Sequence, residues 1–129
     1  MELDNYFDES TVTIWKERFA IIKAKKPDSD AFANIIDNTE TTVILDQTKV
    51  KQENIMSIER DWKIFTLNIL FSMEVVGVTA KVATALAKEG ISIMPIAAYS
   101  KDHFLIKDNY LEKAKKVFQE LGVEVIENE

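Results

Sequence analysis

The fold of this chain is decided by residues 74–93, which read EVVGVTAKVATALAKEGISI. The apolar residues after Gly77 recur at the spacing of one helix face and are Val78, Val82, Ala83, Leu86 and Ala87. Gly90 stands after this stripe, where helices commonly end on a residue that tolerates a positive φ. The pattern therefore predicts a helix over 78–89 that leads directly into the next element.

The segments on either side of this helix complete a recognisable order of elements. Alternating or continuous apolar runs predict strands over 61–71, 91–99, 103–107 and 123–126. A second helix is predicted between Asn109, as its cap with Glu112 in the capping-box position, and Gly122, which ends it. The order β-α-β-β-α-β is the split unit of the ferredoxin-like α+β fold, an antiparallel sheet with helices on one face. Its strand order, 4-1-3-2, would place Pro95 on an edge strand, where a missing amide donor is tolerated.

The first half of the chain has more strand patterns than helix patterns. Apolar and β-branched runs predict strands over 19–25, 32–36 and 42–45, the last two flanking a turn at 37–40. Residues 12–15 are the expected partner of the strand over 19–25. Residues 49–60 are polar and are expected to form a connection with a short ordered stretch. No amphipathic helix of ordinary length precedes Arg60 in the sequence.

The stretch over 74–93 resembles the signature of the ACT domain. In that family an acidic residue precedes a glycine by three positions, and a helix rich in Ala and Leu leads into a Gly-Ile-Asn/Ser-Ile strand. Glu74, Gly77 and the GISI run at 90–93 carry this match. Further matching positions are Trp62, Tyr99, Asp102, Leu105, Ile106 and Ala114. The pattern is similar to small bacterial tandem-ACT proteins, which are related to regulatory ACT domains of aspartate kinases and to eukaryotic cytosolic arginine sensors.

The resemblance implies two tandem ACT modules. Residues 1–60 would be a reduced, strand-rich N-terminal module with its connection, and residues 61–129 would be the C-terminal ACT module. ACT modules usually pair through edge strands or helices, so two modules in one chain can satisfy each other. A homodimer stays open as an alternative, although Pro95 should interrupt a continuous ladder at its edge.

The same resemblance implies a non-catalytic regulatory protein that binds an amino acid or a similar small metabolite between modules. The residues of the implied ligand loop are Ser72, Met73, Glu74, Val76, Gly77 and Val78. The residues of the opposite wall are Ile96, Ala97, Ala98 and Tyr99. The glycine lets the backbone approach a ligand, and the amides of the following helix turn favour a carboxylate. A simpler interpretation is that Gly77 only permits a tight turn and that Glu74 is solvated.

One departure from the related sequences supports a second hypothesis. Where those proteins commonly carry Ser-Thr-Tyr-Asp-Thr-Asp, residues 97–102 read AAYSKD. Methyl groups at Ala97 and Ala98 therefore replace two hydroxyls that could hold a ligand. The alternative is an ACT-type protein–protein interaction module that has lost ligand binding.

Composition excludes several classes of partner. The chain has 129 residues, a formal net charge of -6 and no cysteine. Nucleic acids and anionic membranes both attract basic segments, so neither is an expected partner. The absence of cysteine excludes disulfides and thiolate chemistry. We expect a cytoplasmic protein whose partner is a small molecule.

The sequence offers no pattern typical of an enzyme. His103 is the single histidine, and its neighbour Asp102 should face the opposite side of a strand, so the two are not expected to act as a general-base pair. A surface position at the end of a strand is expected for His103. The acidic run at 28–30 lacks the glycine and the distal glutamate of a calcium-binding EF-hand loop. We expect no catalytic residue, no metal and no cofactor.

Overall fold

A computed structural model of the chain describes residues 3–68 and 76–127. The chain divides into two compact units, one formed by residues 17–62 and the other by residues 1–16 together with 63–129. The N-terminal segment therefore belongs to the same unit as the C-terminal half. That the two units are tandem ACT modules stays a prediction.

The described residues form three kinds of element. The strands are β1 (Thr11–Ile14), β2 (Phe19–Ala24), β3 (Ala33–Ile36), β4 (Thr41–Asp46), β5 (Ile55–Asn68), β6 (Ile93–Ala97), β7 (Asp102–Lys107) and β8 (Glu124–Glu127). The α-helices are α1 (Leu3–Asp8), α2 (Val78–Lys88) and α3 (Leu111–Glu120). Short 3₁₀ turns span Gln47–Lys49, Gln52–Asn54 and Asp108–Tyr110.

The unit of residues 17–62 is an antiparallel sheet in the order β3-β4-β2-β5. Numbered along this unit, that order is 2-3-1-4, which is the ferredoxin-like order predicted for the C-terminal half. A loop stands between β2 and β3, and 3₁₀ turns stand between β4 and β5, where that fold places helices. The buried side chains on one face are Ala20, Ile22, Ala24, Val43 and Leu45, with Ala31 and Val50 of the connections packed against them.

Buried polar side chains hold these connections in place of helices. The amide of Asn54 accepts a hydrogen bond from the backbone nitrogen of Lys26 at 3.0 Å and donates one to its carbonyl at 2.9 Å. Asp28, 5% exposed, accepts a bond from the backbone nitrogen of Asp30 at 2.9 Å and pairs with Lys51 at 3.3 Å. The predicted turn at 37–40 is confirmed, because its first carboxylate accepts hydrogen bonds from two following backbone amides.

The second unit has the strand order β6-β7-β5-β1-β8 among its described strands. β1 runs antiparallel to β5, with Thr11 opposite Asn68, and parallel to β8, with Thr11 opposite Glu124. The predicted pairing of residues 12–15 with the strand over 19–25 is therefore wrong. The predicted order 4-1-3-2 also makes the strand over 61–71 a neighbour of the strand over 123–126. In the structure these strands are β5 and β8, and β1 lies between them. Alternation showed which side chains are buried, but it carried no information about the partner strand.

Helices α2 and α3 cover one face of the strands of this unit and bury the predicted stripes. The buried helix residues are Val78, Val82 and Leu86 of α2 and Ala114, Val117 and Phe118 of α3. The ring of Phe118 stacks on Phe65, with centroids 5.5 Å apart, and lies 6.1 Å from Phe104. Helix α1, which was not predicted, adds the fully buried Phe7 to this core.

Several predicted boundaries change. β5 begins at Ile55, so the connection predicted over 49–60 includes the first residues of this strand. Asn109 lies in a 3₁₀ turn, and α3 begins after Tyr110 without a side-chain cap, so the predicted capping box is wrong. The edge position of Pro95 is confirmed, because β6 pairs with β7 and with no other strand in the described ranges.

Candidate functional site

The candidate site begins at the N-terminus of α2. Gly77 is the N-cap residue and has a left-handed backbone with φ 95° and ψ 2°. Its carbonyl accepts the first helical bond from the nitrogen of Lys81 at 2.9 Å. Glycine has no side chain that could cap the amides of the following turn, so these amides can face a ligand. Val78 packs into the core, whereas Val76 is 89% exposed.

Three of the predicted ligand-loop residues, Ser72, Met73 and Glu74, lie outside the described residues. Their assignment stays a prediction.

A cavity of about 180 Å³ adjoins the first turn of α2. Its lining residues are Thr79, Pro95, Ile96, Ala97, Asp102, His103 and Phe104. The cavity thus brings the start of α2 together with the hairpin of β6 and β7, in which Ala97 lies opposite Asp102. Two predicted wall residues, Ile96 and Ala97, are in the lining, and the helix contributes Thr79 rather than its N-cap glycine.

The other predicted wall residues lie outside this lining. Ala98 belongs to the hairpin turn, where its nitrogen donates to the carbonyl of Lys101 at 2.9 Å. Tyr99, at the tip of the same turn, is 87% exposed. The structure therefore brings together the β6 part of the predicted wall and leaves its turn at the surface.

Asp102 is the acidic group of the cavity, and the sequence did not mark it as a site residue. Burial raises the pKa of its carboxyl above the usual value, while the neighbouring His103 acts in the opposite direction. A partly desolvated carboxylate gains from a cationic partner, because that partner compensates for lost water. The turn at 98–101 was the available signal, since a hairpin closed there pairs Ala97 with Asp102.

His103 has a different role from the one expected. It is half-buried rather than at the surface, and burial together with Lys101 lowers the pKa of its imidazole. Its Nδ1 lies 2.8 Å from the hydroxyl of Thr66, which also accepts a hydrogen bond from the indole of Trp15 at 2.8 Å. The hydrogen bond of Nδ1 to Thr66, rather than to Asp102, gives no support for a general-base pair.

The described ranges contain neither a metal-binding cluster nor a membrane-spanning helix. No three His, Cys, Asp or Glu side chains among residues 3–68 and 76–127 come together as a metal site. No helix in the same ranges has both the length and the apolar character needed to cross a membrane.

Solved structures with the same fold cover nearly all of the chain. A protein from Agobacterium tumefaciens is 18% identical, with a TM-score of 0.76 over 93% of this chain and 94% of its own. A protein of unknown function from Vibrio cholerae is 24% identical, with a TM-score of 0.77 over 93% of this chain and 95% of its own. At these identities the likeness shows the fold.

Regulatory parts of aspartate kinases are also similar. The regulatory subunit of aspartate kinase from Thermus thermophilus is 12% identical, with a TM-score of 0.65 over 85% of this chain and 95% of its own. No curated protein matches the chain. Residues 57–120 match the model of the ACT domain family. Residues 57–120 of this chain therefore belong to the ACT domain family.

Proposed function

We propose that this chain is a non-catalytic regulatory protein that binds a free amino acid at the cavity beside the start of α2. ACT domains bind small-molecule ligands such as amino acids, and the cavity offers the two charges that such a ligand needs. The observation that carries the proposal is that one cavity includes both the first turn of α2, at Thr79, and the carboxylate of Asp102.

The two ends of the cavity, at the start of α2 and at Asp102, match the carboxylate and the ammonium of an α-amino acid. The amides of the turn after Gly77, which has no side chain to cap them, lie at the positive end of the α2 dipole and favour the ligand carboxylate. The half-buried Asp102 favours the ligand ammonium, whose charge would offset the desolvation that raises the pKa of this carboxyl. Ala97 and Pro95 supply an apolar wall for the ligand side chain.

The size of the cavity narrows the ligand class. Its volume of about 180 Å³ is below the range of about 300–1,000 Å³ that is usual for drug-sized ligands. A single amino acid or a metabolite of similar size is therefore expected.

The test is a thermal-shift and calorimetric screen of the purified chain against the twenty amino acids. A ligand present at about 100 times its dissociation constant should raise the unfolding free energy by about 2.7 kcal/mol. Asp102→Asn should weaken binding about tenfold or more, because a charge-assisted hydrogen bond is lost. Substitution of Gly77 is a poorer test, since its positive φ strains any other residue.

Ala97→Leu and Ala98→Leu provide a matched pair for the position of the site. Both alanines are exposed in the β6 hairpin, but only Ala97 lines the cavity. Filling the cavity with Ala97→Leu should abolish binding, whereas Ala98→Leu should preserve it. Equal affinity in both variants would place the ligand elsewhere.

The second candidate function is an interaction module without a small ligand. Its specific support is the exposure of two large apolar side chains, Val76 at 89% and Tyr99 at 87%. In addition, Ala97 and Ala98 stand where related proteins commonly carry hydroxyl side chains. Pairing of two copies as a homodimer is one form of this function. A flat amino-acid screen on folded protein would favour it, and sedimentation would then test for the homodimer.

A further inference from the structure

We propose that the unit of residues 17–62 carries a second ligand site for a small zwitterion, on the sheet face that bears Ile21 and Lys23 and opposite the face that bears Ile22 and Val43. The site is a concavity of about 360 Å³ whose lining includes Ile21, Lys23, Thr42, Ser57 and Glu59. The concavity and the cavity beside α2 share no lining residue. The proposal therefore does not depend on ligand binding beside α2.

The register of the sheet places these side chains in two adjacent rows. In the first row Lys23 lies between Thr42 of β4 and Ser57 of β5. In the second row Ile21 lies opposite Glu59. Residues two apart on a strand share a face, so the two rows form one surface. The surface presents a cation flanked by two hydroxyls, and beside it an apolar floor that ends in an anion.

The two charges in this surface do not satisfy each other. Lys23 and Glu59 are diagonal neighbours, at a backbone separation of about 7–8 Å that long side chains can bridge. Both side chains are exposed, and neither the Lys23 ammonium nor the Glu59 carboxylate forms an ion pair or a side-chain hydrogen bond within residues 3–68 and 76–127. The concavity between them therefore retains one positive and one negative group that can contact a ligand.

Charge complementarity defines the class of occupant. A carboxylate can pair with Lys23 and accept hydrogen bonds from the hydroxyls of Thr42 and Ser57. An ammonium on the same molecule can pair with Glu59, while its apolar part contacts Ile21. The volume of about 360 Å³ falls within the range of about 300–1,000 Å³ that is usual for small-molecule sites. A free amino acid and a short peptide share this zwitterionic chemistry, and the experiment separates them.

The experiment is an amide-resolved NMR titration of the full chain with leucine and with the dipeptide glycyl-leucine. Binding should shift the amides of residues 21–23, 42 and 57–59 saturably, and the tighter of the two probes identifies the source of the zwitterion. N-acetyl-glycyl-leucine lacks the ammonium and glycyl-leucine amide lacks the carboxylate, so each should bind about tenfold more weakly than the dipeptide.

Charge-removing variants link the binding to the named residues. Lys23→Gln and Glu59→Gln should each weaken the tighter probe about tenfold. Lys49→Gln and Glu53→Gln remove the same charges at exposed positions outside the concavity and should leave the affinity unchanged. The absence of saturable shifts with both probes would overturn the proposal. Undiminished binding by Lys23→Gln and Glu59→Gln, or by the blocked dipeptides, would overturn it as well.

Discussion

The imidazole of His103 on β7 and the hydroxyl of Thr66 on β5 are joined by a 2.8 Å hydrogen bond. Thr66 is 4% exposed and also accepts the indole hydrogen bond of Trp15. One hydroxyl on β5 therefore connects β7 with the residue that follows β1. On β7 the preceding residue, Asp102, lines the candidate ligand cavity together with His103, so His103 takes part both in the cavity lining and in this polar contact.

Replacing His103 should remove a pH dependence of stability. Because burial lowers its pKa below the ordinary 6.5, the unfolded chain takes up a proton before the folded chain does as the pH falls. The unfolding free energy should therefore decrease as the pH drops below 6.5. His103→Gln should flatten this dependence. Urea unfolding between pH 8 and pH 5 measures it, at intervals of about half a unit.

The imidazole titration itself provides the control for this prediction. His103 is the only histidine of the chain, so a single imidazole resonance reports its pKa. Thr66→Val removes the hydrogen bond to Nδ1 and should cost about 1–3 kcal/mol of stability. A pKa at or above 6.5 in the intact protein would contradict the expected direction.

The sequence predicted the local elements better than their partners. Val78, Val82 and Leu86 follow the helical period closely, and all three are buried in α2. Val12 and Ile14 also alternate as a strand should, but alternation is the same whichever strand lies alongside. The partner of β1 was set by contacts with distant segments, which a period of two cannot reveal.

The candidate site shows the same division between local and long-range information. The family resemblance predicts Ile96 and Ala97 in a ligand wall, and both line the cavity. Asp102 enters that lining only through its register opposite Ala97, and Thr79 only through the packing of α2 on the sheet. Neither relationship is visible in residue spacing alone, and both became clear once the hairpin was known.

Asp102→Asn should stabilise the protein that has no ligand. Burial raises the pKa of Asp102, so the folded chain holds this proton more tightly than the unfolded chain. The wild type should therefore lose stability as the pH rises from about 3.8 through the raised pKa, relative to the variant. At pH 7 the variant should be the more stable protein, and below the unfolded-state pKa the two should agree. Calorimetry at pH 7 measures the difference in stability directly. A variant that is less stable than the wild type would contradict the interpretation that the Asp102 carboxylate is desolvated.

Asp28→Asn should destabilise the unit of residues 17–62 at neutral pH, whereas Asp102→Asn should stabilise the protein there. The hydrogen bond from the backbone of Asp30, followed by the interaction with Lys51, holds the pKa of Asp28 below its usual value. The stability that this carboxylate contributes is present above pH 3.8 and is lost as the pH falls through the lowered pKa. We expect a cost of about 1–3 kcal/mol at neutral pH. Asp30→Asn removes the same charge from an exposed side chain and should cost much less.

Gly122→Ala and Gly90→Ala should separate backbone strain from side-chain overlap. Both glycines have a positive φ, 98° at Gly122 and 73° at Gly90, so each alanine should cost about 1–2 kcal/mol in backbone strain. A Cβ at Gly90 would meet no atom within 4 Å, whereas a Cβ at Gly122 would overlap the carboxylate of Asp8 at the end of α1. Gly122→Ala should therefore lower the unfolding free energy more than Gly90→Ala. Adding Asp8→Ala should recover the difference, because it removes the overlap and leaves the strain. Equal costs for the two alanines in chemical denaturation would contradict this prediction and show that the Asp8 carboxylate moves away from the added methyl group.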